Sequence, residues 1–160
     1  MEMKKSMILI ALVFLTATLV MAKSHMPEPQ AEAFWTYITE THPYTEWEMW
    51  PGKDGMYEGT SPHGAFLKLY INDVAVNAIK EDRPMPDGAI IVKENYGKDK
   101  EKLMSLTPMY RKKGYNPDAG DWFWAKYGPE GEVMDAGKIE GCIGCHRSQE
   151  DWLFAETKSE

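Results

Sequence analysis

The amino-acid sequence predicts an α+β fold, mainly an antiparallel β-sheet flanked by an N-terminal and a C-terminal helix. Short runs of β-branched and aromatic residues recur between residues 65 and 134, separated by turns that contain glycine or proline. Apolar residues recur at helical spacing between residues 29 and 41. Two cysteines and a histidine follow the last predicted strand at a spacing that fits one helical turn. Strands in the middle of a chain with helices at its ends are typical of this class.

The N-terminal helix is expected to begin at Pro29, because the fixed φ of proline suits the first helical position, and to end near Thr41. The residues that would form its core face are Ala31, Phe34, Tyr37 and Ile38. The following segment, 45–59, is rich in tryptophan, glycine and proline and is predicted to be irregular.

The sheet is predicted from runs that alternate or that carry β-branched residues. The expected strands are 65–71, 89–94, 102–110 and 122–127, with a hairpin return at 132–134. Asn72 or Asp73 is expected to cap a short helix after the first strand. Alternation in that first strand places Phe66, Lys68 and Tyr70 on one face and Leu67, Leu69 and Ile71 on the other.

The pentapeptide Cys142-Ile143-Gly144-Cys145-His146 contains both cysteines of the protein. Two thiols three positions apart, followed at once by histidine, are the pattern of a c-type haem attachment site. Cys142 and Cys145 would each bond covalently to the haem, and His146 would ligate its iron. The sequence therefore predicts one covalently bound haem c, attached near the C-terminus.

Other uses of a Cys-x-x-Cys pair fit this sequence less well. A zinc site would require a fourth ligand, and its histidines usually lie a dozen or so residues beyond the cysteine pair. A thioredoxin-like redox pair would follow the first strand of a βαβ unit, which does not lead into this motif. A structural disulfide between Cys142 and Cys145 is the remaining alternative.

Residues 1–22 are predicted to be a secretory signal peptide, leaving residues 23–160 as a single domain. A short basic start precedes an apolar run from Met7 to Met21, which is shorter than the roughly 18 to 20 residues of a spanning helix. The expected location is the periplasm, where covalent haem attachment takes place. After cleavage no stable membrane span is expected; an uncleaved anchor is the alternative.

The chain is acidic, and its charge limits the partners that we expect. The formal net charge is −7, and removal of residues 1–22, with Glu2, Lys4 and Lys5, makes it −8. We therefore do not expect nucleic acid or an anionic membrane surface as a partner, whereas a basic redox protein is compatible with the negative charge. An ordinary solvent-exposed surface that keeps the protein soluble would explain the same negative charge.

Several short segments form a recognisable series by their order and spacing: His63-Gly64, Leu69 to Asn72 with Ala75, Pro86 to Ala89, Lys93 to Tyr96, Met109, Lys112 to Tyr115, Gly120 to Trp122, Tyr127 and Cys142 to His146. The series resembles the cytochrome P-460 family, whose members include cytochrome P-460 and the β-sheet cytochromes c′. The resemblance covers residues 61–146. It implies an antiparallel sheet with flanking helices, often in a homodimer, and a five-coordinate haem with His146 as its proximal ligand.

The family contains two functional types, and the sequence leaves open which one applies. Cytochrome P-460 oxidises hydroxylamine at a haem cross-linked to a lysine, for which Lys93 and Lys68 are the candidates. The β-sheet cytochromes c′ bind nitric oxide or related gases in an apolar distal pocket. The resemblance implies a proton-relaying acid in the hydroxylamine-oxidising members, with Glu132 and Asp135 as candidates. Candidates for the pocket wall are Phe66, Phe123, Trp122 and Trp124.

We therefore expect an exported mono-haem cytochrome with an open distal site for a small nitrogen species, either hydroxylamine or nitric oxide. The alternative is a periplasmic electron-transfer cytochrome c, which needs a second axial ligand from the protein. The residues that could supply it are His63, Met85, Met104, Met109 and Met134. In the tail, Trp152 to Phe154 is predicted to pack as a short amphipathic helix.

Replacing Cys142 and Cys145 together with Ala should abolish covalent haem, because each bond to the haem needs a cysteine sulfur. Haem staining of the protein in a denaturing gel checks this, since only covalently held haem remains with the chain. Staining that survives the double substitution would contradict the assignment of the motif.

Overall fold

A computed structural model describes residues 26–154, so the predicted signal peptide at 1–22 lies outside the described residues. The described chain forms an eight-stranded sheet in which every pairing is antiparallel. The strands are β1 (Glu48–Met49), β2 (Tyr57–Glu58), β3 (Phe66–Ile71), β4 (Ile90–Tyr96), β5 (Leu103–Leu106), β6 (Met109–Arg111), β7 (Trp122–Tyr127) and β8 (Val133–Gly137). The predicted α+β class is confirmed.

Among the described residues, three α-helices flank the sheet: α1 (Ala31–Thr36), α2 (Asp73–Lys80) and α3 (Glu140–His146). The chain continues from α1 into one π-helical stretch, Tyr37–Thr41, and short 3₁₀ turns occupy Tyr44–Glu46, Pro117–Ala119 and Glu150–Trp152. Within the described range, no helix combines the length and the apolar character needed to cross a membrane.

β3 and β4 lie at the centre of the sheet and pair along six residues, from Phe66↔Tyr96 to Ile71↔Ile91. β1 and β2 pair with the outer edge of β3. On the other side of β4, β5 pairs near its C-terminal end and β6 near its N-terminal end. β7 pairs with both β5 and β6, and β8 then pairs with β7.

The sheet has two covered faces, because side chains alternate along each strand. The face that we call the α3 face carries Leu69, Ile91, Met109 and Trp124 and packs against α2 and α3. The opposite α1 face carries Tyr70, Val92, Tyr110 and Phe123 and packs against α1 and the π-helical stretch. The predicted division of β3 into two faces is confirmed.

Two of the predicted elements are wrong in detail. The predicted strand 102–110 is two strands, β5 and β6, because Pro108 has no N–H to donate to a ladder and is fully buried at the junction. The tail is not an amphipathic helix: Glu150–Trp152 forms a single 3₁₀ turn, and Leu153 is extended. The segment 45–59 is mainly irregular as predicted, although it supplies β1 and β2.

Asn72 is the residue that joins α2 to the sheet. Its Oδ1 accepts hydrogen bonds from the backbone N–H of Ala75, at 3.1 Å, and of Ile90, at 3.0 Å. Its Nδ2 donates to the carbonyl of Gly88 at 2.9 Å. One buried side chain thus caps the helix and satisfies two backbone groups at the start of β4.

We expect Asn72→Ala to lower the free energy of unfolding by about 2 kcal/mol, because it removes a helix cap and leaves buried backbone groups without partners. Urea denaturation of the purified protein measures this. Asn77→Ala is the matched control, because Asn77 lies on the exposed side of α2. Equal losses in the two variants would contradict the role of Asn72.

Candidate functional site

The cysteine and histidine residues predicted to hold haem lie together on α3. Cys142 is half-buried and packs against the core of the α3 face, whereas Cys145 is exposed; both are free thiols. His146 is 7% exposed and lies on the same side of the helix as Cys142, one turn further on. Burial raises the pKa of the Cys142 thiol, and Asp135 adds to this effect.

The environment of His146 fixes which ring nitrogen is available to a metal. Nδ1 lies 2.7 Å from the backbone carbonyl oxygen of Trp152. A carbonyl oxygen only accepts, so Nδ1 carries the proton and Nε2 keeps a lone pair. Burial lowers the pKa of His146, so the ring is held in the neutral form that binds metals. The ring packs edge-on against Trp124, with centroids 4.7 Å apart, and against Phe154, at 4.9 Å.

The structure separates the two candidate lysines. Lys93 pairs with Leu69 and therefore lies on the α3 face. Burial, reinforced by Lys53 and opposed by Cys142, lowers the pKa of Lys93 to about 8. Lys68 lies on the α1 face, where its Nζ is 3.9 Å from the carboxylate of Glu94. Only Lys93 of these two shares a face with α3.

His63 is the direct partner of Lys93, with His63 Nε2 at 3.3 Å from Lys93 Nζ. The Asn95 amide orients the ring: its Nδ2 donates to the carbonyl of Ser105, and its Oδ1 accepts from the N–H of Gly64. The same Oδ1 lies 3.2 Å from His63 Nδ1, which must therefore be the protonated nitrogen. His63 Nε2 is then an acceptor for the Lys93 amine.

Gly64 holds this arrangement close to β4. A Cβ at position 64 would lie 2.7 Å from the backbone nitrogen and oxygen of Tyr96, so the close approach requires glycine. The sequence interpretation offered His63 as a metal ligand and missed Asn95 as its partner. Strand alternation would have placed Asn95 on the same face as Lys93, but the return of His63 to that point depends on the turn before β3.

The candidate pocket-wall residues divide between the faces. Trp122 and Trp124 lie on the α3 face, whereas Phe123 belongs to the core of the α1 face. Phe66 pairs with Tyr96 on the α1 side of β3 and carries Lys100 over its ring. The two phenylalanines therefore lie on the face of the sheet opposite to α3, whereas the two tryptophans lie on the same face as His146.

The acids proposed for proton relay and the methionines proposed as a second axial ligand lie in different parts of the structure. Asp135 pairs with Lys126 and influences Cys142, whereas the Glu132 carboxylate turns back to accept from the N–H of Glu130. Met85 and Met109 are buried in the core of the α3 face. Met104 and Met134 are each 54% exposed.

The cytochrome P460 family matches residues 41–155, which include α3, His63, Lys93 and the whole sheet. The chain belongs to the cytochrome P460 family. Membership confirms the resemblance seen in the sequence and makes this chain a c-type haem protein. A comparison with individually curated proteins found no significant match.

The residues of this chain fit a haem. Two thiols and a neutral imidazole with a free Nε2 lone pair stand on one helix beside an apolar sheet face. Within residues 26–154, the indole N–H groups of Trp122 and Trp124 are buried without an acceptor from the protein. Buried donors are normally satisfied, so this face has hydrogen-bonding capacity for a bound group.

We expect His63 to make stability depend on pH below neutrality. Burial, reinforced by Lys93, lowers its pKa from 6.5 to about 4. The unfolded chain therefore takes up a proton as the pH falls through 6.5, while the folded chain does not until about 4, so the free energy of unfolding falls across this range. Urea denaturation at pH 7 and at pH 4.5 should show a smaller loss for His63→Gln than for the wild type. Equal losses would contradict a half-buried His63 that stays neutral in the folded protein.

Proposed function

We propose that this protein oxidises hydroxylamine at a haem c that Cys142 and Cys145 hold covalently and that His146 ligates through Nε2. The observation that carries the proposal is the position of Lys93, whose half-buried amine shares the α3 face with Cys142 and His146. In the hydroxylamine-oxidising members of the family a lysine is cross-linked to the haem. Lys93 is the residue proposed for that role here, in preference to Lys68.

The state of the Lys93 amine supports this assignment. A pKa of about 8 means that an appreciable fraction of the amine is neutral near neutral pH, and only the neutral amine has a lone pair for bond formation. His63 Nε2 accepts from Nζ and holds it in one position. By contrast, an exposed lysine at the end of a strand would be charged and mobile.

The haem, when bound, supplies a site for the substrate nitrogen and accepts its electrons. Asp135 is the acid that we propose for proton relay, because it lies on the α3 face near Cys142. Its carboxylate is solvent-exposed, so a proton that it accepts can pass to water. Trp124 packs on the His146 ring and keeps the imidazole from rotating.

The cellular setting belongs to the same proposal. Residues 23–160 form one exported domain in the periplasm after removal of the signal peptide at 1–22. Oxidation of hydroxylamine releases electrons, so a redox partner protein is required to remove them. A homodimer remains an expectation from the family resemblance.

Nitric oxide binding is the second candidate function. The apolar and aromatic core of the α3 face favours it, because an apolar surround suits an uncharged diatomic ligand. In that case Lys93 would remain a free amine. The covalent bond between Lys93 and the haem therefore distinguishes the two proposed functions.

Lys93→Met should remove the haem–lysine cross-link and lower hydroxylamine oxidation, because methionine fills a similar space without a nucleophilic nitrogen. Mass spectrometry of the tryptic haem peptide is the measurement. In the wild type the peptide should contain both the Cys142–Cys145 segment and the segment with Lys93.

Lys68→Met is the matched control, a lysine one strand away on the opposite face, and it should keep the cross-link. A wild-type haem peptide that lacks the Lys93 segment would overturn the hydroxylamine proposal in favour of nitric oxide binding.

A further inference from the structure

The segment that follows α3 has an unusual backbone. Asp151 and Trp152 adopt left-handed conformations in succession, with φ of 49° and 67°. Residues other than glycine are disfavoured in the left-handed region, so two such residues in succession persist only where surrounding contacts fix them. The contacts that fix this turn therefore indicate what it is for.

Asp151 makes the contacts that hold the turn. Its Oδ1 accepts from Arg111 Nη1, and its Oδ2 accepts from the backbone N–H of Met85 at 2.6 Å. The two side chains of the ion pair are only 22% and 13% exposed. A largely buried carboxylate with a charged partner and a backbone donor resists displacement. Asp151 thus ties the tail both to β6 and to the loop that leads into β4.

Trp152 is the next residue, and its position depends on the same turn. Its indole lies against Gly120, where any Cβ would collide with the ring. Its backbone carbonyl accepts the hydrogen bond from His146 Nδ1 at 2.7 Å. The strained turn therefore ends in a carbonyl oxygen aimed at the proposed iron ligand.

We propose that Asp151 is a positioning residue for His146. By fixing the turn, Asp151 aims the Trp152 carbonyl at Nδ1, which keeps the proton there, orients the ring and strengthens Nε2 as an electron donor. A stronger donor stabilises ferric over ferrous iron, so Asp151 lowers the reduction potential. This inference rests on the proposed ligation of iron by His146.

The experiment uses the full-length holoprotein with covalent haem, as wild type and as the Asp151→Ala and Asp151→Asn variants. Two quantities are measured: the iron–histidine stretching frequency of the ferrous protein by resonance Raman spectroscopy, and the midpoint potential by spectroelectrochemical titration. Haem staining in a denaturing gel verifies that each variant keeps its haem.

Asp151→Ala should lower the iron–histidine frequency and raise the midpoint potential. We expect about a tenfold change in the relative stability of ferric and ferrous iron, equivalent to about 59 mV for one electron. Asp151→Asn keeps an oxygen for the Met85 N–H but loses the charge that pairs with Arg111. It should shift both quantities in the same direction by less, and it tests the inference if the alanine variant does not fold.

Glu150→Gln is the matched control, because Glu150 is the neighbouring acid of the same turn and is exposed. It should leave both quantities unchanged. An iron–histidine band that neither Asp151 variant shifts would overturn the positioning role alone. A wild-type ferrous protein that is five-coordinate and high-spin by its absorption spectrum but lacks such a band would overturn the ligation by His146 and the positioning role together.

Discussion

The pleat of β4 is the constraint on which the arrangement of this protein depends. It places Lys93 and Glu94, two consecutive ionisable side chains in the middle of the sheet, on opposite buried faces. A buried ionisable group needs a partner, and each face supplies one. Glu94 accepts from the hydroxyls of Tyr44, at 2.8 Å, and Tyr96, at 2.7 Å. Lys93 contacts His63 instead, so the α3 face contains a half-buried amine.

Two further lysines influence the ionisable groups of the α3 face. Burial has the largest effect on both groups, and to it Lys53 adds by lowering the pKa of Lys93, while Lys93 and Lys126 add by lowering the pKa of His63. The Asp135 carboxylate adds to the effect of burial in raising the pKa of the Cys142 thiol. Lys93 therefore disfavours a second positive charge placed beside it on this face.

Local patterns in the sequence predicted much of this fold, and long-range contacts account for what they missed. β7 has the predicted bounds, and the faces of β3 follow from alternation, because both depend on neighbouring residues. Pro108 is a residue that interrupts strands, but the apolar residues on both sides of it led to the prediction of one continuous strand, 102–110. The choice between Lys93 and Lys68 required knowing which face α3 covers. The link between Asp151 and Arg111 joins residues 40 positions apart, and no local pattern indicates it.

The central claim is that His146 is the one axial ligand from the protein and that the opposite side of the haem is open. It is tested most directly by the absorption spectrum of the purified, reduced wild-type protein. An open site predicts a five-coordinate, high-spin spectrum without sharp α and β bands, and with a strongly red-shifted Soret band if Lys93 is cross-linked. A low-spin spectrum with sharp α and β bands would show a second axial ligand, such as His63 or Met109, and would contradict the account in favour of electron transfer.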